Sequence, residues 1–284
     1  MMSHPLDIES EPPRTWHYGL VARWWAEFNQ ATREELSFYR GVIEQFGQPA
    51  LDLGCGTGRI MLPLMTQGLD VDGADISPDM LAHCQKQAEV QGLHPTLLAQ
   101  AMHEFRPPRR YRTIFSCDSF GIGSSRAQDL EALRRIHAAL EPGGAFVFSS
   151  DLPWADGPDW SYWLPERRRE LPREWPTSGD RRPTSDGDEL ELLTRLVDLN
   201  PRAQRFTMEM RARLWRDDLV IVEEQHVIDI NMYFEQERRL MLEVAGFTDI
   251  SVEGPYTGKP ADPADGTVVF VAARPASRPR GGAR

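Results

Sequence analysis

The stretch Leu51-Asp-Leu-Gly-Cys-Gly-Thr-Gly-Arg59 limits what this chain can become more than any other. It follows a short apolar run at residues 50–53 that reads as a buried strand. It precedes a helical run at residues 60–67, which Gly68 ends. Glycines at 54, 56 and 58 let the backbone turn tightly and aim N–H groups at a ligand. Strand, glycine turn and helix in this order open an α/β sheet that binds its ligand at the strand's carboxyl end. A dinucleotide fold uses the same device, but its third glycine stands three residues after the second. Here that position is Arg59. The substitution counts against a nicotinamide oxidoreductase, which stays as an alternative.

The chain around the turn repeats the alternation. Residues 19–46 read as two helices. Residues 70–74 read as a second strand ending at Asp75, and Ser77-Pro78 opens a helix to Val90, with serine at the N-cap and proline in the first turn. Residues 96–99 and 112–116 follow as strands, 127–140 as a helix, 141–144 as a turn and 145–149 as a fifth strand. Strands alternating with helices imply right-handed crossovers and a parallel sheet. Residues 151–188, rich in proline, tryptophan and charge, read as a long loop or lid. Residues 189–199, 204–216 and 219–230 then read as three antiparallel strands with turns at Asn200-Pro-Arg and Asp217-Asp218. Residues 233–245 return to helix, and 249–252 and 267–272 read as the last two strands. The organisation expected is a helical cap at 1–48, a core at 49–150, a lid at 151–188, an inserted sheet at 189–231, the rest of the core at 232–274 and a disordered tail at 275–284.

A formal net charge of −11 lowers the expectation of nucleic acid as a partner, since such binders present a basic face. Cys55, Cys84 and Cys117 are odd in number and lack a Cys-x-x-Cys spacing, so neither a disulfide framework nor a cysteine metal site is expected. The start carries Asp7, Glu9 and Glu11 and no apolar run, and no stretch approaches the roughly 20 apolar residues of a spanning helix. The expectation is a cytoplasmic protein with no membrane partner.

Leu51–Arg59, Asp75-Ile-Ser-Pro-Asp-Met-Leu81, Ala99-Gln-Ala-Met102 and Leu140-Glu-Pro-Gly-Gly144 together resemble the class I S-adenosylmethionine (SAM)-dependent methyltransferases, in that family's order and approximate spacing. The resemblance covers residues 50–150 well and 233–272 more loosely. The inserted sheet resembles that of the glycine N-methyltransferase-like, small-molecule branch. The fold implied is α/β, a Rossmann-like doubly wound seven-stranded sheet with an antiparallel three-stranded insertion and N-terminal helices. The cofactor implied is SAM. By the family pattern, Gly54, Gly56 and Gly58 would line its methionine end, Asp52 would help fix the ammonium and Asp75 would hold the ribose. Ile76 and Met80 would pack near the adenine, Ala101 and Met102 would bracket it, and Cys117 and Asp118 would close the other side. Many members carry an acidic or amide residue where this chain has Ala101.

The resemblance implies transfer of an already activated methyl group, which needs alignment more than an acid. A base is needed only if the acceptor is protonated. His226, beside Glu223 and Glu224, is one candidate. Asp118 at the end of the fourth strand and Tyr18, beside His17, are two more. Trp24, Trp154 and Tyr233 are candidates for the acceptor site. Adjacent Trp24 and Trp25 cannot share a helix face, so one is expected in the core and the other over the cofactor. Residues 117–120, Cys-Asp-Ser-Phe, lack the Asn/Asp-Pro-Pro-Tyr of nucleic-acid amino methyltransferases, and no paired-glutamate loop of the arginine methyltransferases is found. A small-molecule acceptor methylated on N or O remains, and residue usage suggests bacterial secondary metabolism. A non-methylating protein of this fold, or a partner subunit, is the alternative. A homodimer through the inserted sheet or the N-terminal helices is left open.

Overall fold

Helices α1 (Gly19–Phe28) and α2 (Arg33–Phe46) lead into β1 (Ala50–Leu53), α3 (Met61–Thr66), β2 (Val71–Asp75), α4 (Pro78–Val90), β3 (Leu97–Ala99), β4 (Tyr111–Ser116), α5 (Arg126–Ala139) and β5 (Leu140–Asp151). Two short helices, α6 (Gly157–Trp160) and α7 (Pro165–Arg168), precede β6 (Asp180–Pro183), β7 (Glu189–Asn200), β8 (Arg205–Arg216) and β9 (Leu219–Asn231). The chain then closes with α8 (Glu235–Ala245), β10 (Thr248–Glu253) and β11 (Thr267–Ala273). This is a computed structural model, and it describes residues 17–276. Residues 1–16, with the acidic start, and 277–284, most of the expected tail, lie outside the described residues.

Seven strands form the main sheet in the order β10-β11-β5-β4-β1-β2-β3. β1 to β5 run parallel, and β11 runs antiparallel to both β5 and β10. Strand order reverses at β1, between β2 and β4, so the crevice at their carboxyl ends is the expected ligand site. Ala145, Phe146, Val147 and Phe148 of β5 are all essentially unexposed, as a strand covered on both faces requires. Helix starts follow their sequence signals. Ser77 Oγ accepts from Met80 N at the head of α4, with Pro78 in its first turn. Thr32 and Glu35 form a reciprocal capping box on α2, and Ser125 and Gln128 form one on α5. Gly246 ends α8 in the left-handed region.

The inserted sheet has four strands, not three, in the order β6-β7-β8-β9. The extra strand lies inside the segment read as a loop. Its sequence, Asp-Arg-Arg-Pro, shows no apolar alternation because it is a short edge strand whose side chains pair as ions, Arg181 with Glu189 and Arg182 with Asp180. α1 packs on this sheet through Leu20, Val21 and Trp24 against Leu190, Leu192, Met210 and Leu214. Among the described residues, no helix is long and apolar enough to cross a membrane.

Candidate active site

Each glycine of the turn after β1 has its own reason to be glycine. Gly54 takes φ +83°, and a Cβ there would stand 2.2 Å from Ser119 Oγ. A Cβ on Gly58 would meet Cys84 and Leu62, so this residue lets the turn pack onto α3 and α4. Gly56 takes φ +54° and faces open space. Its N–H donates to Asp75 Oδ2 at 2.9 Å, and Ser77 N–H donates to Oδ1 at 2.8 Å. One carboxylate thus ties the glycine turn to the loop that opens α4. Burial raises the Asp75 pKa, and the donors from Ser77 and Gly56 offset part of that rise.

Two cavities flank Gly54 and Asp75. One, of about 680 Å³, is walled by Ile76, Ala101, Met102 and Gln128. Apolar side chains on both sides of a slot suit a planar heteroaromatic ring. The other, of about 840 Å³, is walled by Gly56, Trp25, Arg59, Met80, Cys117 and Asp118. His17 lines both and forms a roof. Its backbone carbonyl accepts from Ser77 Oγ. Burial, then the neighbouring His226, lowers the His17 pKa to about 4, so the ring is neutral at physiological pH.

Arg59 dominates the second cavity. Its Nη1 lies 2.9 Å from Glu35 Oε1, and its Nη2 lies 2.9 Å from Cys117 Sγ. Burial works against its charge, but Cys117, Glu35 and Asp118 outweigh that and raise its pKa. Burial likewise opposes ionisation of Glu35, yet the Thr32 N–H and Arg59 hold its pKa below the usual value. Burial and Asp118 push the Cys117 thiol up to about 12, so it stays protonated. Glu35, Cys117 and Asp118 are close enough to share a cation. The Arg59 guanidinium already supplies positive charge there.

A third cavity, of about 870 Å³, lies beyond Asp118 and Ile122, between β5, the segment that follows it and the inserted sheet. Asp118 and Ile122 line both this cavity and the one around Arg59. Asp118 stands in the left-handed region at φ +52°, which aspartate tolerates better than most residues. Ser149 holds it in place, donating from Oγ to Oδ1 at 2.6 Å and accepting from the Asp118 N–H at 3.0 Å. Burial raises the Asp118 pKa; the Ser149 bond and Arg59 lower it, and Asp151 adds to the rise.

Nine of the residues expected around a nucleoside ligand line the first two cavities: Gly54, Gly56, Asp75, Ile76, Met80, Ala101, Met102, Cys117 and Asp118. Gly58 and Asp52 do not. Asp52 lies 2 % exposed beneath the turn, where it accepts the Met61 N–H and where burial lifts its pKa to about 7. The acceptor candidates fare differently. Trp24 packs in the core between α1 and the inserted sheet, and its neighbour Trp25 faces the cavity. Tyr233 is fully buried with its hydroxyl on Asp129, 2.6 Å away. Trp154 lies against Phe234, while Trp163 lines the third cavity. His226 pairs with Glu224 at 3.2 Å and is off all three cavity walls. Tyr18 is near enough to Asp75 and Asp79 for their charge to add to the rise that burial gives its pKa. Arg59 and Glu35 were not expected as site residues, and His17, noted only beside Tyr18 ahead of α1, takes the roof. A cation filling the position where a dinucleotide fold has glycine was the available signal for Arg59.

Residues 50–144 match the family model described as a methyltransferase domain. A dTDP-3-amino-3,4,6-trideoxy-alpha-D-glucopyranose N,N-dimethyltransferase of Streptomyces venezuelae is 30 % identical over 117 residues, 41 % of this chain and 43 % of that protein. The chain spans less than half the length of the curated relatives it matches. A SAM-dependent methyltransferase from Clostridium acetobutylicum superposes with TM-score 0.69 at 15 % identity, covering 90 % of this chain and 98 % of that one. A sugar N-methyltransferase from Streptoalloteichus superposes with TM-score 0.65 at 19 % identity, covering 97 % and 99 %. Residues 50–144 thus match a methyltransferase domain model, in a chain that has the Rossmann-like fold seen in the SAM-dependent methyltransferase from Clostridium acetobutylicum.

Proposed function

We propose that the chain is a SAM-dependent methyltransferase acting on nitrogen or oxygen of a small molecule in bacterial secondary metabolism. The carrying observation is that two neighbouring cavities share Asp118 and Ile122 in their walls, one bounded by Gly56, Met80 and Arg59, the other by the segment after β5 and the inserted sheet. That is the layout a methyl donor and an acceptor need if they are to meet end to end. The inserted sheet supports the glycine N-methyltransferase-like, small-molecule branch, and the two sugar-methylating relatives support a small-molecule acceptor. The three free cysteines fit a reducing cytoplasm.

The residues suit SAM group by group. Asp75 has carboxylate lone pairs left for a ribose diol after its two backbone donors. Ile76 and Met102 offer an apolar slot for adenine. Arg59 offers a guanidinium to the methionine carboxylate. When bound, SAM supplies a methyl group on a sulfonium, already activated. The chain then has three tasks. The turn and Asp75 fix one reactant, and the lid cavity fixes the other, a positioning that can supply roughly 7–11 kcal/mol of the barrier. His17 and Trp25 keep water from above. Asp118, at the junction, orients the acceptor and accepts its proton, which its raised pKa favours.

Calorimetric titration with SAM and S-adenosylhomocysteine should show saturable binding of both at one site. Transfer of labelled methyl to members of a metabolite panel should follow. Failure of either ligand to bind overturns the reading.

A further inference from the structure

Resting on that reading, the lining of the third cavity points to a class of acceptor. Four carboxylates reach it: Asp118, Asp151, Asp156 and Asp159. Some of their capacity is used within the protein. Asp159 pairs with Arg173 at 3.2 Å, Asp151 Oδ1 accepts from Thr267, and Asp156 caps α6. Among the described residues Arg238 is the one cation on the wall, and the balance remains negative. Trp163, Phe206, Leu196 and Leu199, of one apolar cluster, supply an apolar part of the wall.

A second, independent feature points to a ligand. Arg238, on α8, lines this cavity at 3 % exposure. Its Nη2 donates weakly to the Asp151 carbonyl at 3.3 Å, while its buried Nε and Nη1 have no hydrogen-bond partner among the described residues. A buried guanidinium with idle donors is costly unless something else accepts from it. Asp151 already offsets part of its charge, so a neutral oxygen suits it better than a further anion.

We propose that the acceptor is a hydroxylated aliphatic amine of aminosugar or aminocyclitol type, methylated on nitrogen. Its ammonium faces Asp118, its hydroxyls exchange hydrogen bonds with Arg238 and the rim aspartates, and the C–H face of its ring lies on Trp163. The ammonium first gives a proton to Asp118. The exposed nitrogen lone pair then forms the N–C bond as the methyl–sulfur bond breaks, its electrons passing to sulfur. The products are the methylated ammonium and S-adenosylhomocysteine, and Asp118 returns its proton to solvent.

The test uses the full chain with four probes: 3-amino-3-deoxyglucose, glucose, cyclohexylamine and catechol. Binding is measured by calorimetry with S-adenosylhomocysteine present, and methyl transfer with labelled SAM. The aminosugar should bind at least about tenfold more tightly than any of the other three, and label should appear on its nitrogen. Arg238→Met and the rim variant Asp159→Asn should each raise its KM about tenfold and leave S-adenosylhomocysteine affinity unchanged. Arg238→Lys should recover part of the loss. The proposal is overturned if catechol or glucose matches the aminosugar, if S-adenosylhomocysteine binds but no aminosugar does, or if both variants keep the parent KM. Absence of S-adenosylhomocysteine binding would instead bring down the methyltransferase reading, and this proposal with it.

Discussion

Arg59 stands where a pyrophosphate-binding turn needs glycine, and its guanidinium bridges Glu35 of α2 and the thiol after β4. A glycine there would let the helix approach a phosphate. A buried cation there instead suits a ligand that brings its own carboxylate. Asp75 works at the same scale, with both oxygens already committed to backbone donors and lone pairs left over. Asp75→Ala should weaken S-adenosylhomocysteine binding by about 1–3 kcal/mol, read by calorimetry; unchanged affinity would remove Asp75 from the ribose site. Asp52 acts from beneath the turn, through pH. Its folded pKa of about 7 lies above its unfolded value, so the native state keeps a proton that the unfolded chain has lost. Its contribution to stability is therefore greatest near pH 4 and falls as pH rises toward 7. Asn cannot ionise, so Asp52→Asn should lack that fall. Urea midpoints at pH 4.5 and 7.5 should show the variant gaining on the parent by about 3 kcal/mol over the interval. A constant difference would mean that the carboxyl is ionised throughout.

Among the elements, α2 links helix formation to the site. Thr32 Oγ1 accepts the Glu35 N–H at 3.1 Å, the Glu35 carboxylate accepts the Thr32 N–H at 2.7 Å, and its other oxygen holds Arg59. Thr32→Ala should cost about 1 kcal/mol, a fall of roughly 2–4 °C in Tm for a chain of this size. S-adenosylhomocysteine affinity should weaken as well: alanine keeps the backbone N–H that the Glu35 carboxylate accepts, but without the Oγ1 acceptor the first turn that carries Glu35 frays. A Tm loss with unchanged affinity would make the cap purely structural. The elements that the sequence revealed are those whose local and tertiary signals agree. β1, the glycine turn and α4 combine an apolar run, glycines at set positions and a capping serine. β6 was hidden because a charged, four-residue edge strand has no alternation and is defined only by pairing with β7. The residues that wall the first two cavities were legible because they sit at strand ends, where position along the chain fixes position in the crevice. Those that wall the third cavity were not. Which tryptophan faces a cavity depends on how the lid and the inserted sheet pack, and neither Trp24 nor Trp154 carries a local mark of the face it takes.

Across the whole molecule, α1 joins the inserted sheet to the nucleotide half of the core. Its apolar face packs on β7 and β8, while its start is held from two sides: Gly19 N–H donates to Asp79 Oδ2 and Leu20 N–H to Glu224 Oε2, each at 2.8 Å. Asp79 belongs to α4 and Glu224 to β9, so the roof residue His17 hangs from a joint between the two halves. Carboxylates at a helix start are favourable to the helix dipole, and here each also fixes where the helix sits. A ligand beneath His17 should lock this joint. Binding at a hundredfold excess over Kd stabilises the native state by about 2.7 kcal/mol, which for this size means a rise of roughly 5–10 °C in Tm. Glu224→Ala cuts the tie to the inserted sheet and leaves the Asp79 tie and the cavity walls intact. Hydrogen exchange in Gly19–Phe28 should then quicken, with and without S-adenosylhomocysteine, while β1, β4 and β5 keep parent protection. The ligand should dissociate faster, with a smaller change in its association rate, since the roof opens more often over an unaltered floor. If α1 stays as protected as in the parent and ligand release is unchanged, α1 is held by its apolar face alone and Glu224 has no part in closing the site.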